Sequence, residues 1–154
     1  MINKLSSKLI NQIAAGEVVD NPSSIVKELI ENSIDAQSTR IDIHIYNGGL
    51  DKILIKDNGC GFHKNDIKKA FKRFTTSKIS NTNDLFNINT LGFRGEALAS
   101  IASISCVTLK TKNSSNANGS EITIKGGAEV EFKPSSIESG SIIEVSNLFF
   151  NVPA

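Results

Sequence analysis

Hydrophobic residues recur at helical spacing near the start of the chain. Over residues 22–36 the apolar positions fall every three or four residues: Ile25, Val26, Leu29 and Ile30. Pro22 suits the first position of a helix, and Asn21 or Asp20 can cap it. The pattern therefore predicts an amphipathic helix over 22–36.

Alternation of apolar and polar residues then predicts two strands joined by a tight turn. Isoleucines alternate with polar residues over 39–46 and again over 52–57. Asn47-Gly48-Gly49 lies between them, and these residue types tolerate the positive φ angles of a hairpin turn. We therefore expect a β-hairpin over 39–57.

In the rest of the chain, segments with helical spacing and segments with strand-like alternation follow one another less regularly. Residues 64–74 predict an amphipathic helix with four apolar residues on one face: Ile67, Ala70, Phe71 and Phe74. A polar loop is predicted over 75–93 and a short helix over 95–103. Further strands are predicted near 104–111, 119–125, 128–133 and 141–146. Runs of helix and of strand, without a regular βαβ alternation, favour the α+β class.

Composition narrows the class of protein. The 154 residues are 39% hydrophobic and 21% charged, which is typical of one globular domain. The chain has no apolar run of about 20 residues, as a membrane span needs, and no secretory signal pattern, so an intracellular protein is expected. Cys60 and Cys106 have no metal-ligand spacing. A net charge of +1 gives no global electrostatic argument for nucleic-acid binding.

The first helix carries candidate chemistry beside its apolar stripe. Glu28, Asn32 and Asp35 have i, i+4, i+7 spacing and so lie along one stripe. A carboxylate and an amide oxygen one turn apart can activate water and ligate a hard cation. An ordinary solvated polar face is the alternative, and the helix alone favours it.

The second strand ends in an acid that shares the parity of its isoleucines. Asp57 continues the face of Ile53 and Ile55, where a carboxylate is costly unless it is hydrogen-bonded. Gly59 and Gly61 follow and allow close approach of a ligand to the backbone. A carboxylate beside such a turn can accept from an exocyclic amine. The alternative, a simple turn opener, carries equal weight at this point.

Two further segments suggest an anion site. Gly92, Arg94 and Gly95 precede a helix that starts near Glu96, where exposed N–H groups favour anions. A glycine-rich loop that merely enters a helix is the alternative. The hydroxyls and ammonium of 75–78 could contact phosphates, although an ordinary loop is favoured there.

Together these segments resemble the motifs of MutL-family ATPases of the GHKL class. In order and spacing the matching strings are KELIENSIDA (27–36), DNGCGF (57–62), TTSKI (75–79) and GFRGEALASI (92–101). NQIAAGEVV (11–19) and NLFFNVPA (147–154) resemble MutL proteins specifically. The resemblance covers essentially the whole chain. It implies a two-layer α+β sandwich, in which a mixed, largely antiparallel sheet has helices on one face.

The resemblance also implies roles for individual residues. Glu28 would be the general base, Asn32 would ligate Mg²⁺, and Asp57 would accept from the adenine amino group. Gly59 and Gly61 would shape the base pocket. The remaining nucleotide contacts would come from Ala36, Thr76, Lys78, Gly92, Phe93, Arg94, Gly95, Ala97, Leu98 and Ser141. In this scheme residues 72–98 form a lid over ATP, and the Ser141 hydroxyl supports the contact between Asp57 and adenine.

The implied function is ATP binding and hydrolysis in DNA mismatch repair. Lid closure and N-terminal dimerisation would make a switchable clamp, working with mismatched duplex DNA, a MutS-type protein and a second MutL-type chain, homo- or heteromeric. The location would be cytoplasmic or nuclear. Residues 1–154 would be the front part of a longer protein, whose second subdomain and dimerisation domain lie beyond. Departures from the family are Gln37 for Gly, Phe74 for His and Ser141 for Thr.

Two alternatives remain open. One is a non-hydrolysing nucleotide- or DNA-binding fragment, because basic residues cluster on and after the predicted helix over 64–74. These residues are Lys64, Lys68, Lys69, Lys72, Arg73 and Lys78. A solvated helix face explains the same cluster. The other alternative is a different GHKL ATPase, such as a topoisomerase subunit.

Overall fold

Six strands and two α-helices make up the part of the chain that the computed structural model describes, residues 21–72 and 97–152. The helices are α1 (Pro22–Asp35) and α2 (Ala97–Ser103). The strands are β1 (Ile41–Tyr46), β2 (Lys52–Asp57), β3 (Cys106–Lys112), β4 (Gly119–Lys125), β5 (Ala128–Ser135) and β6 (Gly140–Ser146). Apart from the helix predicted over 64–74, the predicted elements in these ranges agree within about two residues. The predicted loop over 75–93 lies outside the described residues.

Helix α1 begins and ends as its sequence predicts. The Asn21 side chain accepts a hydrogen bond from the Ser24 N–H at 3.1 Å, and Pro22 occupies the first turn. At the other end, the Gln37 N–H donates to the Ile34 carbonyl and the Ser38 N–H donates to the Ser33 carbonyl. This pair of bonds is a Schellman motif, which places Gln37 in the left-handed region at φ +61°.

The strands form one sheet in the order β1-β2-β6-β3-β4-β5. Every pairing between the described strands is antiparallel. The last strand, β6, lies between β2 and β3, so it brings the end of the chain to the middle of the sheet. The predicted hairpin is confirmed, because β1 and β2 pair around a turn in which Asn47, Gly48 and Gly49 all have positive φ.

One face of the sheet is buried under helices and the other faces solvent. On the inner face, Ile53, Leu109 and Val145 are at most 1% exposed. The outer face carries cross-strand ion pairs, Lys52–Glu144 at 3.0 Å and Lys110–Glu121 at 3.5 Å. The hydrogen bond to Glu144 raises the pKa of Lys52 above its ordinary value. The predicted two-layer α+β class is confirmed.

The described part of the helix predicted over 64–74, residues 64–72, differs from the prediction. It contains two 3₁₀ turns, Lys64–Asp66 and Lys69–Phe71, rather than one α-helix. Bonds of i→i+3 type explain the difference, since the Asp66 N–H donates to the His63 carbonyl and the Ala70 N–H donates to the Ile67 carbonyl. Three-residue spacing still buries Ile67, as the apolar pattern predicts. Phe74 lies outside the described residues.

Candidate functional site

The carboxylate of Asp57 lies at the end of β2 and is held at both of its oxygens. The Ser33 hydroxyl donates to Oδ2 at 2.7 Å, and the Gly59 N–H donates to Oδ1 at 2.9 Å. Asp57 is half-buried and shares the inner face with Ile53 and Ile55. A carboxylate offers about four lone-pair sites, so about two remain for a ligand.

A row of hydroxyls continues from Asp57 across the sheet. Ser141 on β6 is the direct partner of Asp57 on one side and of Thr111 on the other. Directly opposed residues point to the same face, and the Thr111 Oγ1 lies 2.9 Å from the Ser141 Oγ. Thr111 also accepts from the Phe62 N–H at 2.8 Å. The row therefore presents a carboxylate and a hydroxyl side by side, with a buried hydroxyl behind them.

The two glycines after Asp57 are required by close backbone packing. A Cβ on Gly59 would lie 2.7 Å from both the Cβ and the carbonyl oxygen of Ala36. Gly61 has φ +68°, and a Cβ there would overlap the Lys112 carbonyl oxygen. The Cys60 N–H donates to the Ala36 carbonyl at 3.0 Å, which ties this turn to the end of α1. The turn thus connects α1 with the centre of the sheet, and its part in a base pocket stays a prediction.

Glu28 and Asn32 lie on a flank of α1 next to its buried stripe. The stripe consists of Ile25, Leu29 and Ser33, which are 0%, 2% and 4% exposed. Glu28 and Asn32 each precede a stripe residue by one position and are half-buried. They lie at the edge of the core, as predicted. Because Ser33 contacts Asp57, the same helix stripe runs toward the carboxylate of the candidate site.

An apolar groove lies on the opposite flank of α1. Its walls include Val26 and Ile30 of α1 and Ile45 of β1. At about 100° of rotation per helical residue, this flank is turned away from Glu28 and Asn32. Among the described residues, none of those predicted to contact a nucleotide lines the groove.

The predicted phosphate-binding residues are only partly described. Ala97 is 8% exposed and Leu98 is half-buried against the core, so both side chains pack inside the fold. Thr76, Lys78, Gly92, Phe93, Arg94 and Gly95 lie outside the described residues. The roles given to all of these residues stay predictions.

The basic cluster is partly neutralised. Lys68 pairs with Glu129 at 3.3 Å, and its ammonium also lies 4.9 Å from the centre of the Phe132 ring. Lys69 lies 3.9 Å from Asp66. Lys64 and Lys72 are exposed. Arg73 and Lys78 lie outside the described residues. Acidic partners on two of the lysines weaken the case for a phosphate-backbone contact here.

Sequence reasoning missed two residues of the site, Ser33 and Thr111. Ser33 occupies a stripe position four residues after Leu29, and Thr111 shares the parity of Val107 and Leu109 on β3. In each case a polar residue occupies a position where the pattern calls for an apolar one. The same signal identified Asp57, so it was present in the sequence for these two residues as well.

Comparison with known proteins identifies the fold family. Residues 20–150 match the family described as histidine kinase-, DNA gyrase B-, and HSP90-like ATPase. The chain belongs to this family. The match includes α1, the turn after β2 and the whole sheet.

Similar proteins are bacterial MutL chains. The chain is 52% identical over 154 residues to the DNA mismatch repair protein MutL of Exiguobacterium sp., covering 100% of this chain and 25% of the relative. It is 55% identical over 153 residues to that of Clostridium beijerinckii, covering 99% and 23%. The chain thus spans about a quarter of the length of these relatives, and the MutL-type resemblance is confirmed.

Solved structures agree with the family. The Aquifex aeolicus MutL ATPase domain complexed with ADP superimposes with a TM-score of 0.70 at 31% identity, covering 88% of this chain and 46% of that one. The N-terminal domain of a DNA repair protein superimposes with a TM-score of 0.76 at 31% identity, covering 94% and 40%. Within residues 21–72 and 97–152, no helix has the length and apolar character of a membrane span.

Proposed function

We propose that this chain binds ATP at the row formed by Asp57, Ser141 and Thr111, as the nucleotide-binding part of a DNA mismatch repair protein of the MutL type. The observation that carries the proposal is the Asp57 carboxylate, which is half-buried on the core-facing side of the sheet and fixed by two donors. Its remaining lone pairs are acceptors with a defined direction. The ADP bound to the similar Aquifex aeolicus domain supports a nucleotide as the ligand.

The base would be recognised through its exocyclic amine. Adenine presents an amino group where guanine presents a carbonyl, and a carboxylate can only accept. Guanine at this position would leave a partly buried acceptor facing another acceptor. The neighbouring Ser141 hydroxyl donates to Thr111, because the single proton of Thr111 goes to the Gly140 carbonyl at 3.1 Å. Ser141 would therefore support the contact between Asp57 and adenine from the sheet side. Asp57 would therefore set the preference for adenine.

Hydrolysis would be carried out by the flank of α1. Glu28 is the candidate general base, because a carboxylate at the edge of the core can take a proton from an attacking water. Asn32, one turn further along, offers the amide oxygen that a hard cation such as Mg²⁺ accepts as a ligand. Mg²⁺ held there with the phosphates would neutralise charge on the phosphate oxygens.

The phosphates would be enclosed by residues 72–98. We infer that Thr76, Lys78 and the backbone of 92–98 contact them, with the N-terminus of α2 favouring the negative charge. Ordering of this segment by ATP would bias dimerisation of the N-terminal domains. In the whole protein this switch would couple a MutS-type partner on mismatched DNA to later steps of repair.

Titration of the full chain with ATP and GTP tests the proposal. The wild type should bind ATP more tightly than GTP, and Asp57→Ala should abolish ATP binding. Asp57→Asn, which keeps the volume but adds donors, should remove the preference for adenine. Asp51→Ala is the matched control, because Asp51 is an exposed acid in the β1–β2 turn. Equal affinity of the wild type for ATP and GTP would refute the assignment of Asp57.

A further inference from the structure

We propose that Ser33 is a positioning residue for base recognition, which acts through the carboxylate of Asp57. The proposal rests on the proposed function, since it requires Asp57 to accept from the adenine amine. Ser33 would not touch the nucleotide. It would decide where the lone pairs of Asp57 point, and it would tie them to helix α1.

The contact has the geometry of a strong hydrogen bond. The Ser33 Oγ lies 2.7 Å from Oδ2 of Asp57, a length typical of a hydroxyl bound to a charged oxygen. Ser33 is 4% exposed, so water does not compete freely for its hydroxyl. A carboxylate oxygen accepts, so the single proton of Ser33 is directed at Asp57.

Two donors on two different oxygens fix the plane of the carboxylate. The other donor is the Gly59 N–H, which belongs to the same turn as Asp57 and moves with it. Ser33 is on a separate element, α1, and therefore holds Asp57 relative to the rest of the fold. Without Ser33, only the local bond to Gly59 would orient the carboxylate. Part of the binding energy of the base would then be spent on ordering it.

The position of Ser33 along α1 adds a second consequence. Ser33 directly follows Asn32 and lies five residues after Glu28, all within one helix. The bond to Asp57 therefore connects the base-reading carboxylate with the helix that carries the candidate hydrolytic groups. Recognition of the base and the placement of the candidate hydrolytic groups would then both depend on one rigid element, helix α1.

The test compares ATP with purine riboside triphosphate, which lacks the exocyclic amine. In the full chain, Ser33→Ala should weaken ATP binding by roughly 10- to 150-fold, the usual effect of losing a hydrogen bond to a charged group. Affinity for the analogue should be unchanged, because it makes no bond to Asp57. Ser33→Thr keeps the hydroxyl and should restore the preference for ATP.

Two controls separate positioning from general damage. Ser105→Ala removes another buried serine hydroxyl, which donates to the Ile101 carbonyl at 2.6 Å. Because the single proton of this hydroxyl goes to Ile101, Ser105 does not donate to Asp57. Ser105→Ala should leave the ratio of the two affinities unchanged. Ser33→Ala combined with Asp57→Asn should cost less than the sum of the single changes, because both act on one contact.

The outcomes distinguish this proposal from the proposed function. The positioning role of Ser33 would be overturned if Ser33→Ala weakened the binding of ATP and of the analogue equally. It would also be overturned if Ser105→Ala lost the preference for ATP to the same extent. Neither result would overturn the role of Asp57 in base recognition. A wild-type chain that binds ATP and the analogue equally would overturn the role of Asp57, and the role of Ser33 with it.

Discussion

Replacing Gln37 by glycine should stabilise the protein. Gln37 ends α1 in the left-handed region at φ +61°, where a Cβ atom is strained and glycine is the usual residue. Its side chain is exposed, and the Schellman bonds use only its backbone N–H and that of Ser38. The substitution therefore keeps every backbone bond of the motif and removes the strain.

The size of the effect follows from two opposing terms. A residue with a Cβ in the left-handed region costs about 1–2 kcal/mol. Glycine loses about 0.5–1 kcal/mol more conformational entropy on folding than alanine does. The difference between the central values leaves a net gain of about 0.8 kcal/mol, which corresponds to a rise in Tm of about 1.5–3 °C for a chain of this size.

Urea denaturation followed by circular dichroism measures the change. Gln37→Gly should raise the midpoint without changing the slope, since the surface exposed on unfolding is the same. Gln37→Ala is the control, because it removes the same side-chain functional group but keeps the Cβ, and it should give no gain. A Gln37→Gly variant that is no more stable than Gln37→Ala would refute the reasoning.

Two further predictions concern the site. In the full-length protein, Glu28→Ala should slow ATP hydrolysis by roughly 10²- to 10⁴-fold with little change in ATP affinity. Glu31→Ala, which removes an acid paired with Lys27 at 3.5 Å, should change neither the rate of hydrolysis nor the affinity for ATP. Unchanged turnover in Glu28→Ala would remove Glu28 as the general base. Thr111→Val should lower the free energy of unfolding by about 1–3 kcal/mol, because it leaves the part-buried Phe62 N–H without its acceptor. Thr111→Ser keeps the hydroxyl and should retain most of the stability. Equal losses of stability for the two variants in chemical denaturation would contradict this prediction.

Local periodicity was sufficient to predict the types of α1, β1 and β2. The i, i+3, i+4 stripe and the cap of α1 depend on neighbouring residues, as does the β1–β2 hairpin, and both were predicted correctly. The parity of Asp57 with Ile53 likewise predicts that the acid lies on the inner face, where the sheet indeed carries it. Spacing of motifs then indicated the family, because it depends on chain order alone.

Periodicity did not predict features that depend on the packing of residues far apart in the sequence, such as the exposure of the β1 isoleucines. Ile43 and Ile45 alternate like core residues, yet they are 41% and 49% exposed because β1 is an edge strand. The i+3 pattern of 64–74 fits an α-helix and a pair of 3₁₀ turns equally well, and the packing of Ile67 is compatible with either.

The neighbourhood of Asp57 shows the same division. The order of residues along the chain is enough to predict an acid at the core-facing end of β2 and a glycine turn after it. The contacts of Asp57 with Ser33 and Ser141 depend instead on the packing of distant segments, since strand order places β6 beside β2 and helix packing sets α1 against the sheet. These contacts join residues that are far apart in the sequence, so they depend on how the whole core packs. Local spacing in the sequence does not predict them.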